Sequence, residues 1–142
     1  MGLNPEIWGP HYWFFLQTVS ISYPHKPNDV SKKKYYDFIQ NLPLFIPNRE
    51  IGNNFSKLLD KYPVTPYLDS RLSFMKWINF IHNKINNELE KPEQEFYKSL
   101  EDYYQYYKPK QTIQENLEKK KLYYKIFLGS ITLLIIYLYN IR

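Results

Sequence analysis

A chain of 142 residues with a formal charge of +5 has room for one small domain and an appendage. It contains no cysteine, which excludes structural disulfides, Cys-ligated zinc, thiol nucleophiles and thiol relays within these residues. His11, His25 and His82 form no HExxH spacing, and no glycine-rich dinucleotide loop, P-loop or GxSxG elbow occurs, so no metal site or standard nucleotide site is expected.

Aromatic residues are 19% of the chain, enough apolar area for a packed core. Few glycines and no alternating β-branched runs point to helices. Residues 1–5 lack a charged n-region and h-region, so no signal peptide is expected. Asn4, Pro5 and Glu6 read as a helix start. Helix one is expected over 7–22, with Trp8, Tyr12, Phe15 and Val19 at helical spacing. Residues 23–29, with Pro24 and Pro27, read as a loop. Helix two is expected over 31–45, with Tyr35, Phe38, Ile39 and Leu42 inward and Pro43 kinking or ending it. Helix three is expected over 48–61, with Ile51, Phe55, Leu58 and Leu59 inward. Asp69 or Ser70 caps helix four, which runs to Leu89. Pro92 reads as the start of helix five, with Phe96, Leu100, Tyr103, Tyr104 and Tyr107 on its apolar side. The folded domain is expected over 1–110.

Helix four carries two stripes. Phe74, Ile78, Ile81, Ile85 and Leu89 face a core at one helical spacing. Asn79, His82, Asn83 and Asn86 line another side at i, i+3, i+4 and i+7. Asn is a poor helix-interior residue. The stripe therefore reads either as a wet outer face or as a row of donors and acceptors along a planar ligand.

Residues 111–121 are polar and helical in propensity and read as a basic linker ending in Lys119, Lys120 and Lys121. Residues 122–141 read as a transmembrane tail anchor: 20 residues give about 30 Å of helix, one hydrocarbon core. Tyr123, Tyr124, Tyr137 and Tyr139 sit near its ends, where interfacial aromatics belong, and Lys125 can snorkel. The alternative is a sixth core helix. The lysine cluster, set against the lone Arg142, places the folded domain on the cytoplasmic side of a single-pass membrane protein. The few Arg and the absence of base-reading clusters argue against nucleic acid.

Three stretches together resemble the FAD-linked sulfhydryl oxidases of the Erv/ALR type. They are WGPHYWFFLQT at 8–18, LPLFIPNREIGNNF at 42–55 and WINFIHNKINNELEK at 77–91. The first is similar to that family's WGxxxWxxLHT opening, and the third to its WxxxxHNxVNxxLGK. The resemblance covers about residues 5–107 and is closest to the short single-domain forms of large DNA viruses. It implies an all-α fold, a four-helix bundle plus a short fifth helix, here followed by a C-terminal transmembrane helix. It also implies FAD as the cofactor, with Gly9, Trp13, Gln17, His82, Asn83, Asn86 and Lys91 toward it. Trp77 suits a core position and a wall of the adenine pocket equally.

The departures are specific. The CxxC of the family falls on 48–51, so Asn48 and Ile51 replace both redox cysteines. Gln17 stands for the His of the LHT triplet, Asn54 for a His after the CxxC, and Glu90 for the Gly before Lys91. No side chain here can form the disulfide or a thiolate against flavin, so dithiol oxidation is expected to be absent. The third motif favours FAD binding, whereas Gln17 and Asn54 hydrogen-bond but cannot stack or charge as His does.

Three functions follow. One is a membrane-anchored pseudo-oxidase that binds FAD, a partner, or both. The partner would be a second copy or an active family member, met through Trp8, Tyr12 and Phe15, or a viral membrane or virion protein. That aromatic face equally reads as core. The second is a flavoprotein oxidase with another electron donor. The third is a structural virion or membrane protein without flavin.

Overall fold

The computed structural model describes residues 3–141, the side chains of 110–113 excepted. The described residues form six α-helices and two short 3-10 turns. They divide into two units, 1–103 and 104–142, each described by itself.

In the first unit, α1 (Pro5–Ile21) begins where Asn4 accepts the Glu6 N–H at 3.0 Å. That cap satisfies one of the orphan donors of the first turn. Next, α2 (Asp29–Asn41) is capped by Asn28. Pro43 ends it as expected: the chain tightens into a 3-10 turn over Leu42–Phe45. Helix α3 (Arg49–Lys61) starts from Asn48. Gly52 on α3 meets that turn so closely that an added Cβ would lie 2.6 Å from the Pro43 carbonyl oxygen. A second 3-10 turn, Thr65–Tyr67, leads to α4 (Arg71–Glu88), capped by Ser70.

The core is built from Leu16, Ile39, Phe55, Leu59, Phe74, Trp77, Ile78 and Ile81, all from α1 to α4, as amphipathic spacing requires. Tyr23 is buried with them, and its hydroxyl donates to the Leu68 carbonyl at 2.7 Å. A phenol without such a partner would be costly there. Helix α1 packs against α4.

Three expectations are corrected. First, the fold is not four helices plus a short fifth with a separate tail: the described residues form six helices. The sixth, α6 (Lys110–Asn140), runs unbroken for 31 residues through both the basic stretch and the apolar tail. No Gly or Pro lies between Pro109 and Gly129, so nothing stops helix propagation at the change in polarity. Secondly, Pro92 does not open a helix. Residues 91–95 have no regular secondary structure and α5 spans Phe96–Gln105, leaving Tyr107 beyond it. The Glu95 carboxylate accepts from the Tyr97 and Lys98 N–H groups at 3.0 and 2.7 Å, so the acidic side chain is the start signal. Thirdly, Leu89 lies past the last turn of α4 and is 58% exposed. The core stripe stops at Ile85.

In the second unit, every described residue of α6 from 114 onward is exposed. Gln114–Asn140 is long and apolar enough to cross a membrane by length and composition.

Candidate functional site

The pairing of α1 with α4 brings two of the expected residues face to face. The rings of Trp13 and His82 stack with centroids 4.0 Å apart and planes 16° from parallel. Burial, and secondly the Lys91 charge, push the His82 imidazole down from 6.5 to about 4. His82 is therefore neutral at pH 7, a flat, uncharged ring. Lys91 itself is exposed.

The asparagine stripe is engaged by the chain's own backbone. Asn83 donates to the Gln94 carbonyl at 2.9 Å and accepts the Gln94 N–H at 2.9 Å. Asn79 donates to the same carbonyl at 3.2 Å. Asn86, nearly buried, donates to the Pro92 carbonyl at 3.4 Å, and its own carbonyl accepts the Lys91 N–H at 2.8 Å. Asn87 reaches the Glu93 carboxylate at 2.8 Å. The stripe thus straps residues 92–94 back along α4, where a strand or helix partner is missing for those backbone groups. Glu90 makes the reversal in the left-handed region, φ 55°. The sequence signal for the strap was the Lys91–Glu95 run itself: one Pro, no apolar spacing and four asparagines within one helical face of it.

The remaining expected residues are placed as follows. Gln17 donates to the carbonyl and hydroxyl of Ser99 at 3.1 and 3.2 Å and ties α1 to α5. Ser99 had not been singled out. Trp77 is 1% exposed, and its indole N–H donates to the Tyr62 carbonyl at 3.2 Å, which sets it in the core. Gly9 has nothing within 4 Å of an added Cβ. No packing contact within the described residues asks for a glycine in that helical turn, although Gly costs about 1 kcal/mol there relative to Ala. An open backbone at that point suits the close approach of a ligand.

The two redox positions of the resembled family lie at the start of α3. Asn48 is its N-cap, and its side-chain oxygen accepts from the Glu50 and Ile51 N–H groups at 2.9 and 3.1 Å. Ile51 is half-buried one turn into the helix. Further along, Asn54, Lys57, Leu58, Lys61 and Glu88 line an open cleft of about 350 Å³ between α3 and the end of α4.

The profile of the Erv1 / Alr family matches residues 10–108. The chain belongs to the Erv1 / Alr family. Among curated relatives, it is 35% identical over 85 residues to a probable FAD-linked sulfhydryl oxidase of Acanthamoeba polyphaga mimivirus, covering 59% of each chain. It is 33% identical over 91 residues to the FAD-linked sulfhydryl oxidase ERV2 of Saccharomyces cerevisiae, covering 64% of this chain and 45% of that one. The chain spans about half the length of the curated relatives it matches. Its fold is similar to the crystal structure of the FAD binding domain of Erv1 from Saccharomyces cerevisiae. There the TM-score is 0.62 at 28% identity, over 66% of this chain and 88% of that one.

This Erv1 / Alr chain has lost the family's dithiol chemistry. Thiol–disulfide exchange needs a thiolate. The 142 residues contain no cysteine, and a capping amide and an aliphatic side chain occupy the two positions. Fit to FAD divides along the site. The Trp13–His82 pair, the open Gly9 backbone and the Lys91 charge suit a flat aromatic group with phosphates. The hydrogen-bonding edge of Asn83 is already engaged by the chain's own strap.

Proposed function

We propose that this protein is a membrane-anchored, FAD-binding member of the Erv1 / Alr family that oxidises no dithiol and acts by binding a partner. The observation that carries the reading is the contrast at the site. Asn48 holds the start of α3 by two backbone hydrogen bonds where redox cysteines would sit, while the stacked Trp13–His82 pair stands ready. A bound flavin would supply a two-electron carrier, and this chain's residues would hold it rather than feed it. Trp13 and His82 would offer ring faces. Lys91 would offer a charge to the phosphates. Gly9 would leave room at the backbone.

The partner surface in this reading is the outer side of α1. Phe15 is 50% exposed. Tyr12 is pinned by its hydroxyl to the Phe45 carbonyl at 2.7 Å and meets Trp8 edge-on at 5.1 Å. A second copy or an active family member is the expected partner. Attachment through α6 would bring a viral or host membrane protein within reach of the same surface. Support for the membrane comes from the 27-residue apolar helix.

One observation favours a second reading, a structural module without flavin: both polar atoms of Asn83 are used by Gln94. The visible absorption spectrum of the full chain, purified in detergent, separates the two. A flavin band at near-stoichiometric level is expected. A colourless protein that stays colourless after refolding with FAD overturns the flavin reading and leaves the structural one.

A further inference from the structure

We infer that α6 selects anionic phospholipid, through a lysine collar set at headgroup depth at the N-terminal end of the apolar segment. The inference rests on the membrane reading above and adds the chemistry of the leaflet. Because α6 is one continuous helix, the axial position of each side chain follows from the rise of about 1.5 Å per residue. Ile126 to Tyr139 is uncharged. Lys119, Lys120 and Lys121 lie five to seven residues before Ile126, about 8–10 Å further along the axis. A bilayer adds about 5–8 Å of headgroup on each side of its hydrocarbon core, so these ammonium groups fall in that layer or at its outer edge. Tyr123 and Tyr124 lie between collar and core, at interfacial depth, and both are exposed. Lys125 borders the apolar run, from which a four-carbon stem can reach back to the headgroups.

Charge complementarity decides the occupant. Residues 114–125 hold four lysines against Glu115 and Glu118. Lys121 is paired with Glu118 at 2.8 Å. Three consecutive helical residues spread over about 200° of the circumference, so the collar faces lipid whichever way the helix rotates. At the other end, Tyr137 and Tyr139 are followed by Asn140 and Arg142, so three consecutive lysines at one end stand against a single arginine at the other. A lysine near an anionic surface contributes about 1 kcal/mol, roughly fivefold in partition.

The full chain, synthesised cell-free in the presence of vesicles, tests this by flotation. One set is pure phosphatidylcholine; in the other, phosphatidylserine replaces about a third of it. Capture by both is expected, with initial capture by the anionic set faster by roughly tenfold at low salt, and the advantage fading as salt shortens the Debye length. The triple change Lys119→Gln, Lys120→Gln and Lys121→Gln should abolish the preference and leave capture by phosphatidylcholine intact. The pair Glu115→Gln and Glu118→Gln should enlarge it. Equal capture by both sets at low salt overturns this inference and leaves the membrane reading standing. No flotation with either set, or flotation only as sedimentable oligomers whose tails are sheathed by further copies, overturns both.

Discussion

The start of α3 and the end of α4 both carry positions of the family pattern, and they depart from it in opposite ways. At the start of α3 the residues of the pattern are replaced, and a capped helix begins there. Asn48 stands at a thiol position of the pattern and caps the helix. At the end of α4 the motif residues were kept: His82, Asn83 and Asn86 stand where the family pattern has them. Yet the two asparagines are engaged by the chain's own backbone at 92–94. Identity at a motif position therefore does not assign a job, and loss of a reactive residue does not imply loss of order. What decides each case is where the polar atoms go.

The largest effect expected from breaking this contrast is on the α4 side, through His82. Its folded pKa of about 4 lies below the ordinary 6.5. The unfolded chain therefore binds more protons in that window, and stability falls as pH drops from about 6.5 toward 4. The loss is at most about 3 kcal/mol, less for the part of the ring that water still reaches. His82→Phe keeps a flat ring against Trp13 and should flatten this pH dependence in urea titrations. An unchanged pH profile in the variant would place the proton elsewhere.

On the α3 side the corresponding test is Gly52→Ala. Glycine to alanine inside a helix normally gains about 1 kcal/mol. Here the new methyl meets the Pro43 carbonyl oxygen at 2.6 Å, a backbone atom in a tight turn, and overpacking of that kind costs about 1–3 kcal/mol. A lower Tm is expected, by several degrees. A rise would mean that the 3-10 turn yields easily.

Two asparagine variants then compare the regions directly. Asn83→Ala leaves the Gln94 N–H without its partner and the Gln94 carbonyl with Asn79 alone, and should cost about 1–2 kcal/mol. It should also raise proteolytic nicking at 91–95, the signature of a loosened strap. Asn48→Ala removes an N-cap and should cost about 1 kcal/mol, with no effect on cleavage at 91–95. If Asn83→Ala instead left nicking unchanged and altered the flavin spectrum, the stripe would belong to the cofactor after all.

Much of this was legible before any coordinates. The cap Asn4, a cap at Asp69 or Ser70, the helix end at Pro43 and the inward stripes of α3 and, as far as Ile85, of α4 follow from local rules that tertiary context did not override. The strap was not legible, because an asparagine amide serves a ligand and a returning backbone equally well. Only the path of residues 91–95 separates the two. Trp77 was ambiguous for a similar reason: an indole needs one hydrogen-bond acceptor wherever it is buried, and the Tyr62 carbonyl that supplies it is 15 residues away. Residues 111–121 read as helical in propensity and 122–141 as a helix, but a linker boundary was drawn between them at a change in polarity. Helix propagation responds to backbone conformation, and polarity decides only what surrounds the helix.

The smallest effect, and the sharpest on the strap, is at Glu90. It is the residue with positive φ among the described non-glycine residues, and the family pattern places Gly there. A side chain in the left-handed region costs about 1 kcal/mol or a little more, whereas glycine loses more backbone freedom on folding. The two terms oppose, so Glu90→Gly should stabilise by only about 0.5 kcal/mol. That gain is worth measuring because it is diagnostic of direction. A turn that the Asn79, Asn83 and Asn86 bonds hold in place against its own preference becomes easier to hold with glycine, and hydrogen exchange at the Lys91 and Gln94 N–H groups should slow. If Glu90→Gly instead destabilised the protein and sped exchange at those two groups, the left-handed turn would not be under strain, and Glu90 would be contributing a contact of its own to the strap.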